Sequence, residues 1–427
     1  MKLVSFKKCL VVGAVLWLVG AGFNSHLLGT VVNEITLETF NTIQAAINDA
    51  DTLPGHRLRV ESDNGTYYEN VTVNKASLTI KGIPYMQPTV DGGGAGNTFT
   101  ITADNVTIQY LTITNNGSYH GVKINSGYNY STIWGNNIQD CNRGVWVDSS
   151  HNTIKENDFQ GCFWSAQVTS SDNIIYKNTF RDCDRGVYLY PSTSVGNVVC
   201  HNVISDFVNG IYLAFSSGNW IYSNIITGNA YPQYGGKGIN LAGASANSIY
   251  GNTIKDCYYG LYMEYANNNK IHHNNFMNST TYHAYSYAGS GNIWHMGAMG
   301  NIGNYWSNAS CTDSNSDGIC DSAYSIPGGS EQDLYPLVAA WYIIKGNVDG
   351  DPLGNITLAD ITYLSDYLNI PPIGTPEPVT PCAADVNGDS VVDAKDTTYL
   401  TNYLYLDGPA PVGNCEAQLV LPRLFNQ

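Results

Sequence analysis

Charge is scarce in this chain, and positive charge most of all. Only 13 % of the 427 residues are charged, with 19 Lys or Arg against 35 Asp or Glu, a net charge of −16. That balance excludes a general nucleic-acid binder, because a polyanion would be repelled. Long apolar runs are missing too. The one candidate, Cys9 to Phe23, follows Lys2, Lys7 and Lys8 and is only about 15 residues long, short for a bilayer span. It predicts a secretory signal over residues 1–30, cleaved between Gly22 and Val32, with no membrane span after cleavage. Loss of those three lysines takes the charge to −19, since Glu34 is the first acidic residue. Cys9 lies inside the apolar run and not at a cleavage position, which speaks against a lipid anchor. In place of charge the chain has asparagine, 43 Gly and 31 Tyr, a composition that suits an exposed, repetitive β protein better than a compact helical enzyme.

Between residues 105 and 292 a frame recurs, Ile-x-x-Asn-x-(Ile/Phe)-x-x-Cys-x-x-Gly-(Val/Ile/Leu)-aromatic-(Leu/Val/Met). Its asparagines are Asn136, Asn157, Asn178, Asn202, Asn224, Asn252 and Asn274, at spacings of 21, 21, 24, 22, 28 and 22 residues. A period near 22 with short alternating runs predicts a solenoid whose coils bury their apolar faces against one another, here a right-handed parallel β-helix over residues 31–340. Stacked coils would align equivalent residues at about 4.8 Å. The asparagines would then form a hydrogen-bonded row. Val145, Val187, Ile211, Ile239 and Leu261 would point inward together with Val147, Leu189, Leu213, Leu241 and Met263, and Gly144, Gly186, Gly210, Gly238 and Gly260 would mark the turn closing each coil. Phe40, Ile43, Ala46 and Ile47 outline a short helix capping the first coil. Residues 56–104, with Gly92-Gly93-Gly94, read as wider first coils.

Cys141, Cys162, Cys183 and Cys257 share one frame position, which fits either a buried ladder of small residues or a metal-thiolate cluster. Cys311 is expected to pair with Cys320 and Cys382 with Cys415, disulfides suited to an extracellular protein. Two outward frame positions carry aromatics: Trp146, Tyr188, Tyr212 and Tyr262 at one, Trp134, Tyr176, Tyr222 and Tyr250 at the other. Rows of flat apolar rings with polar tips suit the C–H faces of sugars, although stacked tyrosines also stabilise neighbouring strands. The candidates for catalysis are Asp182, Asp184, Arg185 and Arg143, with Asp140 and Asp256 at equivalent turns. No paired-Asp motif of the polygalacturonase kind accompanies them, so the chain could process polysaccharide, as a hydrolase or lyase, or only bind it. His272, His273, His283 and His295, with Met277, Met296 and Met299, offer copper-type side chains without fixed ligand spacing.

The C-terminus carries a duplication, Asp360-Ile-Thr-Tyr-Leu-Ser-Asp-Tyr-Leu368 and Asp396-Thr-Thr-Tyr-Leu-Thr-Asn-Tyr-Leu404. Each copy follows a run of oxygen-bearing side chains and has apolar residues at helical spacing, with Leu364, Leu368, Leu400 and Leu404 expected in the core of this small module. In the second copy Asp385, Asn387, Asp389, Asp393 and Asp396 fall at positions 1, 3, 5, 9 and 12 of a calcium loop, with the Val391 carbonyl at 7. In the first, Asn347, Asp349 and Asp351 fit positions 1, 3 and 5. Asn355 and Asp360 complete it if Pro352 and Leu353 are an insertion. Ser390 replaces the usual loop glycine of the second copy. A third acidic run, Asp313, Asn315, Asp317, the Ile319 carbonyl and Asp321, has similar spacing, and Glu331 or Asp333 is a candidate to complete it.

The duplication resembles a type I dockerin over residues 343–416. The resemblance implies calcium as cofactor, a cohesin as partner, and partner contacts from Leu358, Ala359, Ala394 and Lys395, in a module assigned to residues 341–427. Because those pairs differ between copies, two equivalent docking orientations are not expected. The coils with the Gly303-Asn-Tyr-Trp-Ser307 and Asp333-Leu-Tyr-Pro336 ending resemble the NosD-like β-helix family, also grouped with carbohydrate-binding proteins and sugar hydrolases, over about residues 35–337. The expected whole is a secreted β-helix that binds or processes polysaccharide in a cohesin-bearing extracellular assembly. A purely structural cell-surface protein and a copper-maturation factor are the alternatives.

Overall fold

The computed structural model describes residues 30–62, 65–228, 235–296, 301–341, 356–369, 384–388, 392–406 and 408–412. The signal segment, Met299, Cys382, Cys415, Asn347, Asp349, Asp351, Asn355, Asp389, Ser390 and Val391 lie outside them.

Three parallel sheets of 12, 11 and 10 strands wrap one solenoid, and almost every strand pairs with the equivalent strand one coil away. The exceptions are at the N-terminal end, where Val31–Asn33 pairs antiparallel with Thr39–Phe40 and Arg57–Val60. Helix α1 (Ile43–Asn48), capped by the Thr42 side chain, buries Ile43, Ala46 and Ile47 over that end. Phe40 belongs to a strand and packs beside the cap instead of on the helix.

The 10-stranded sheet contributes two inward rows and each of the other sheets one. Ile133, Ile154, Ile175, Val199, Ile221, Ile249 and Ile271 come from the 12-stranded sheet, and Ile138, Phe159, Phe180, Ile204, Ile226, Ile254 and Phe276 from the 11-stranded one. All of them are fully buried, as are the inward Val, Ile, Leu and Met residues expected from the repeat frame.

Two asparagine ladders, not one, hold the turns. The expected row runs from Asn136 to Asn274 and on to Asn304, each Nδ2 donating to the Oδ1 of the next coil at 2.9–3.1 Å. The same Oδ1 accepts a backbone N–H from the previous coil, as Asn202 Oδ1 does from Asn178 N at 2.9 Å. A second ladder, Asn152, Asn173, Asn197, Asn219, Asn247, Asn269 and Asn292, flanks the other end of the same strands at 3.0–3.2 Å. Its sequence signal is Asn-x-x-x-x-Asn, repeated from Asn152/Asn157 to Asn269/Asn274.

Both ladders point the same way, so both end on an amide that needs an acceptor. One C-terminal hairpin, Tyr324–Ser325 with Gln332–Asp333, supplies them. Asn292 Nδ2 donates to Glu331 Oε1 at 2.8 Å, and Asn304 Nδ2 to Asp333 Oδ2 at 3.1 Å. Trp294 and Trp306 donate their indole N–H groups to the same two carboxylates. Glu331 and Asp333 are therefore ladder terminators, which corrects the expectation that one of them completes the acidic loop at Asp313. Trp341 exchanges two hydrogen bonds with the Asn275 side chain and so packs on the last coils.

The glycines need a further correction. Gly144, Gly186, Gly210, Gly238 and Gly260 lie within strands, not at turns. A Cβ on Gly210 would meet the Gly238 carbonyl oxygen at 2.6 Å, so these positions let neighbouring coils approach. The turns are made by left-handed residues, among them Asp140 (φ 53°), Asp182 (φ 51°), Asp206 (φ 55°) and Asp256 (φ 56°). Asp tolerates that region better than most side chains.

Two outcomes are expected. Asn202→Ala removes the acceptor of the buried Asn178 N–H and the donor to Asn224, and should cost about 3 kcal/mol, read as a lower urea midpoint. Burial pushes the Asp333 carboxyl up to about 6 against four N–H donors. A raised folded pKa means that the fold takes up a proton as pH falls through about 6, and this stabilisation is lost as pH rises through that value. The urea midpoint difference between wild type and Asp333→Asn should therefore change between pH 7 and pH 5, with more proton uptake on folding near pH 5 in the wild type than in the variant.

Candidate functional site

The expected catalytic cluster is divided between a cleft that holds its aspartates and a neighbouring sheet that holds its arginines. Asp140, Asp182 and Asp184 line an open cleft of about 690 Å³ along the turns, with Cys141, Cys162, Cys183 and Phe163 also in its wall. Asp140 and Asp182 are there because the turn needs a left-handed residue. Asp140 Oδ1 sits 2.6 Å from where a Gly161 Cβ would be, and Asp172 over Gly196 repeats this at 2.5 Å elsewhere on the coil, so the arrangement recurs with the turn geometry. Arg143 and Arg185 line the neighbouring sheet instead of the cleft. Their guanidinium carbons lie 4.6 and 4.7 Å from the centre of the Trp164 ring. Asp184 stays beside Arg185 Nε at 3.3 Å, and Asp256 repeats the turn geometry further along.

The thiols behave as a ladder of small buried groups. Cys141 Sγ donates to the Gln139 carbonyl at 3.2 Å, Cys162 Sγ to Ile138 at 3.7 Å and Cys257 Sγ to Lys255 at 3.3 Å. Burial pushes Cys183 and Cys257 up to about 12, and the contact with Cys162, then burial, raises Cys141 well above its usual range. Metal binding and nucleophilic attack both need the thiolate, which this environment disfavours. A fifth buried thiol, Cys200, interrupts the aromatic row of the 12-stranded sheet, and Tyr176 and Tyr222 occupy the coils on either side of it.

The two expected aromatic rows lie on two different sheets. Trp146, Tyr188, Tyr212 and Tyr262 are outward on the 10-stranded sheet, where Gln167 and Asn240 interrupt the row and Tyr285 extends it. Trp134, Tyr176, Tyr222 and Tyr250 are on the 12-stranded sheet, where Lys155 and Cys200 interrupt and His272 extends. Stacking is tight within short runs: Tyr188 on Tyr212 at 5.1 Å, Tyr222 on Tyr250 at 5.0 Å, Tyr262 on Tyr285 at 5.5 Å. It leaves Tyr188 only 8 % and Tyr250 only 9 % exposed, so those two offer edges more than faces. Sequence reasoning missed Trp164, because it falls three residues before the frame's aromatic position, in a strand lacking the frame glycine.

Among the described residues the histidines do not bring three ligand atoms together. His272 Nδ1 meets His273 Nδ1 at 2.8 Å, whereas His283 bonds Ser307 Oγ and His295 meets the Tyr335 ring edge-on. Met277 lies in strand Asn275–Met277 and Met296 backbone-pairs with Ile302. Among the described residues the one group of three or more His, Cys, Asp or Glu ligand atoms close enough to share an ion is Glu38, Asp49 and Asp51, at the opposite end of the coil.

In the third acidic run, Cys311 and Cys320 form a disulfide. Asp313 accepts from the backbone of Asp317 and Gly318, Asp317 from Ile319, and Asp321 from Ser314 N and Oγ. Asn315 Nδ2 donates to Asp317 Oδ2 at 2.9 Å.

The C-terminal module is built on helices α2 (Leu358–Asn369) and α3 (Ala394–Tyr405). Leu364 and Leu400 share its core with Ala384 and Val386, while Leu404 is half-buried. The copies match in detail: Asp360 Oδ2 accepts from Thr357 N at 2.7 Å, as Asp396 Oδ2 accepts from Asp393 N at 2.9 Å. Asp396 Oδ1 also accepts from Val386 N and Asn387 N. Both aspartates are fully buried. A buried carboxylate at the mouth of a loop carrying Asp385, Asn387 and Asp393, with no basic side chain on Asp396 among the described residues, fits a hard cation. Gly388 has φ 80° and lets the loop turn back, with its N–H on Asp385 Oδ1 at 3.0 Å. Leu358, Ala394 and Lys395 are exposed at the helix starts, where Ala359 also falls.

These features define a parallel β-helix followed by a dockerin module. The family described as a right-handed beta helix region matches residues 88–226, the periplasmic copper-binding protein (NosD) family residues 165–311, and the dockerin type I domain residues 345–405. Type I dockerins bind calcium and imply assembly through a cohesin. No curated protein matches the chain. Among solved structures it is similar to the Dettilon tailspike protein (13 % identity, TM-score 0.40, covering 59 % of this chain and 58 % of that one). It is also similar to a DFA-IIIase from Arthrobacter chlorophenolicus A6 (14 %, 0.43, 54 % and 73 %) and to a mannuronic acid specific family 6 polysaccharide lyase from human gut microbiota (15 %, 0.41, 58 % and 73 %). The chain thus spans less than two thirds of the tailspike, and scores of this size carry no argument about activity.

The buried thiols have a direct consequence: a thiol reagent should leave Cys141, Cys162, Cys183, Cys200 and Cys257 unlabelled in the native protein and modify all five in urea, as read by mass spectrometry.

Proposed function

We propose that the protein is a secreted glycan-binding β-helix held in an extracellular assembly by calcium-dependent docking to a cohesin. The observation that carries the docking half is the buried Asp396, which ties loop to helix through three backbone N–H groups at a loop that also carries the oxygen-bearing side chains of Asp385, Asn387 and Asp393. Bound calcium would neutralise the carboxylates of that loop. Asp385, Asn387, Asp393 and Asp396, with Asp389 and the Val391 carbonyl, would hold it in the second loop. Asn347, Asp349, Asp351, Asn355 and Asp360 would do so in the first. Leu358, Ala359, Ala394 and Lys395 would meet the partner. The acidic run closed by the Cys311–Cys320 disulfide is a third place for the same ion.

The aromatic rows support the glycan half. No catalytic role is assigned to Asp140, Asp182 or Asp256, because the backbone geometry of the turns accounts for their presence. The nearly buried Tyr188 and Tyr250 favour the rival reading, in which stacked rings only stiffen a spacer.

EDTA should unfold the dockerin module and abolish capture of the full chain by type I cohesins, with calcium restoring both. Asp396→Ala should weaken capture by about tenfold or more, because it strands three N–H groups and removes the ligand expected to bind through both oxygens. Capture that persists in EDTA overturns the docking reading.

A further inference from the structure

The outer face of the 10-stranded sheet is basic, on a protein that is otherwise strongly acidic. Arg143, Trp164, Arg185, Asn209 and Lys237 occupy one register position on successive coils. The three cations therefore fall on alternate coils, about 9.6 Å apart at ordinary strand spacing. Between and beside them lie aromatic rings. Arg185 is 4.4 Å from the Tyr188 ring centre and 4.9 Å from Tyr212, and Lys237 is 3.8 Å from Tyr262. On the coil before Arg143, Lys123 lies 3.9 Å from the Trp146 ring centre.

A second, independent observation concerns hydrogen-bond donors. Trp146 Nε1, Trp164 Nε1 and His120 Nδ1 are buried in this patch without an acceptor. His120 Nε2 faces Arg143 Nη1 at 3.4 Å and must accept there, so Nδ1 carries the proton. Burial holds this imidazole at about 4, so it is neutral at physiological pH. Arg143 has no carboxylate partner among the described residues and gives its Nε proton to Gln167 Oε1. Asp184 beside Arg185 and Glu264 near Lys237 are the nearby acids. The patch thus has surplus donors and positive charge, and buried N–H groups left without partners are uncommon in folded proteins.

We infer that this face binds an acidic polysaccharide lying along the coil axis, one carboxylate or sulfate per disaccharide meeting Arg143, Arg185 and Lys237 while alternate sugars rest on the rings between them. This rests on the glycan-binding reading and gives it a substrate class. A polymer charged on every second sugar matches cations on every second coil. The net negative charge of the whole chain is screened beyond about 8 Å at physiological salt, so the local stripe decides the contact.

The test is titration of the full calcium-loaded chain with a hyaluronan decasaccharide, which alternates a uronate with a neutral sugar, and with a neutral cello-oligosaccharide. Hyaluronan should bind and the neutral oligomer should bind more weakly. Arg143→Gln and Arg185→Gln should each weaken hyaluronan binding about tenfold or more. Arg185→Lys should retain part of the affinity, and Lys155→Gln on the 12-stranded sheet should change nothing. Thermal midpoints of the variants separate lost contacts from lost fold. The proposal is overturned if hyaluronan does not bind, if the Arg143→Gln/Arg185→Gln double variant, folded, binds it as well as wild type, or if polyglutamate binds equally well. If a neutral glycan binds and hyaluronan does not, glycan binding stands and this assignment falls. If nothing binds, both fall.

Discussion

The structure depends on finding acceptors for the backbone N–H groups that the turns of a coil leave inside. A strand of three residues is too short to bury its ends away from these groups, and every coil turns immediately before and after it. The asparagine amide solves this twice per coil: Oδ1 accepts the backbone and amide N–H of the previous coil, and Nδ2 donates to the next. Because each bond aligns the amide dipoles in one direction, the ladder gains along its length and must end on something that only accepts. Glu331 and Asp333 are that end. One hairpin therefore closes two ladders and covers the last core rings, Trp294 and Trp306, through the same carboxylates.

The same constraint separates scaffold from surface. Positions that recur from coil to coil, the Asn rows, the inward aliphatics, most of the glycines and several left-handed aspartates, answer to coil geometry. Features peculiar to a few coils carry the chemical individuality of the molecule. The alternation of Arg143, Trp164, Arg185 and Lys237 is of the second kind, because nothing in the turn or the ladder requires a cation there. The C-terminal module solves a related problem at small scale, with Asp396 gathering three N–H groups at the entrance of a helix.

Much of this was legible in the residues. A period near 22 identified the coil, and the inward rows followed from alternation within short strands. The duplicated loop and helix identified the dockerin, down to the equivalence of Asp360 and Asp396. Several things were not legible. The second asparagine ladder was written as Asn-x-x-x-x-Asn yet hidden by attention to one frame position. The glycines were read as turns because glycine marks turns more often than it marks the close passage of two backbones. Arg143 and Asp140 looked like one cluster because only two residues separate them, but the turn sends one onto a sheet and leaves the other at the cleft.

The sequence by itself determined the architecture, since repeated local patterns can bury their apolar faces in only one way, against their own copies. It also determined the dockerin module, since the oxygen-bearing loop and its helix lie within a dozen residues of one another and recur as a pair. Only the tertiary structure decided which outward residues share a face. Side chains more than 20 residues apart become neighbours through coil register, and insertions such as those between Asn178 and Asn202 or between Asn224 and Asn252 shift what a fixed period would align. The stacking of coils, not spacing along the chain, placed the cations beside the rings and the two terminating carboxylates at the ends of their ladders.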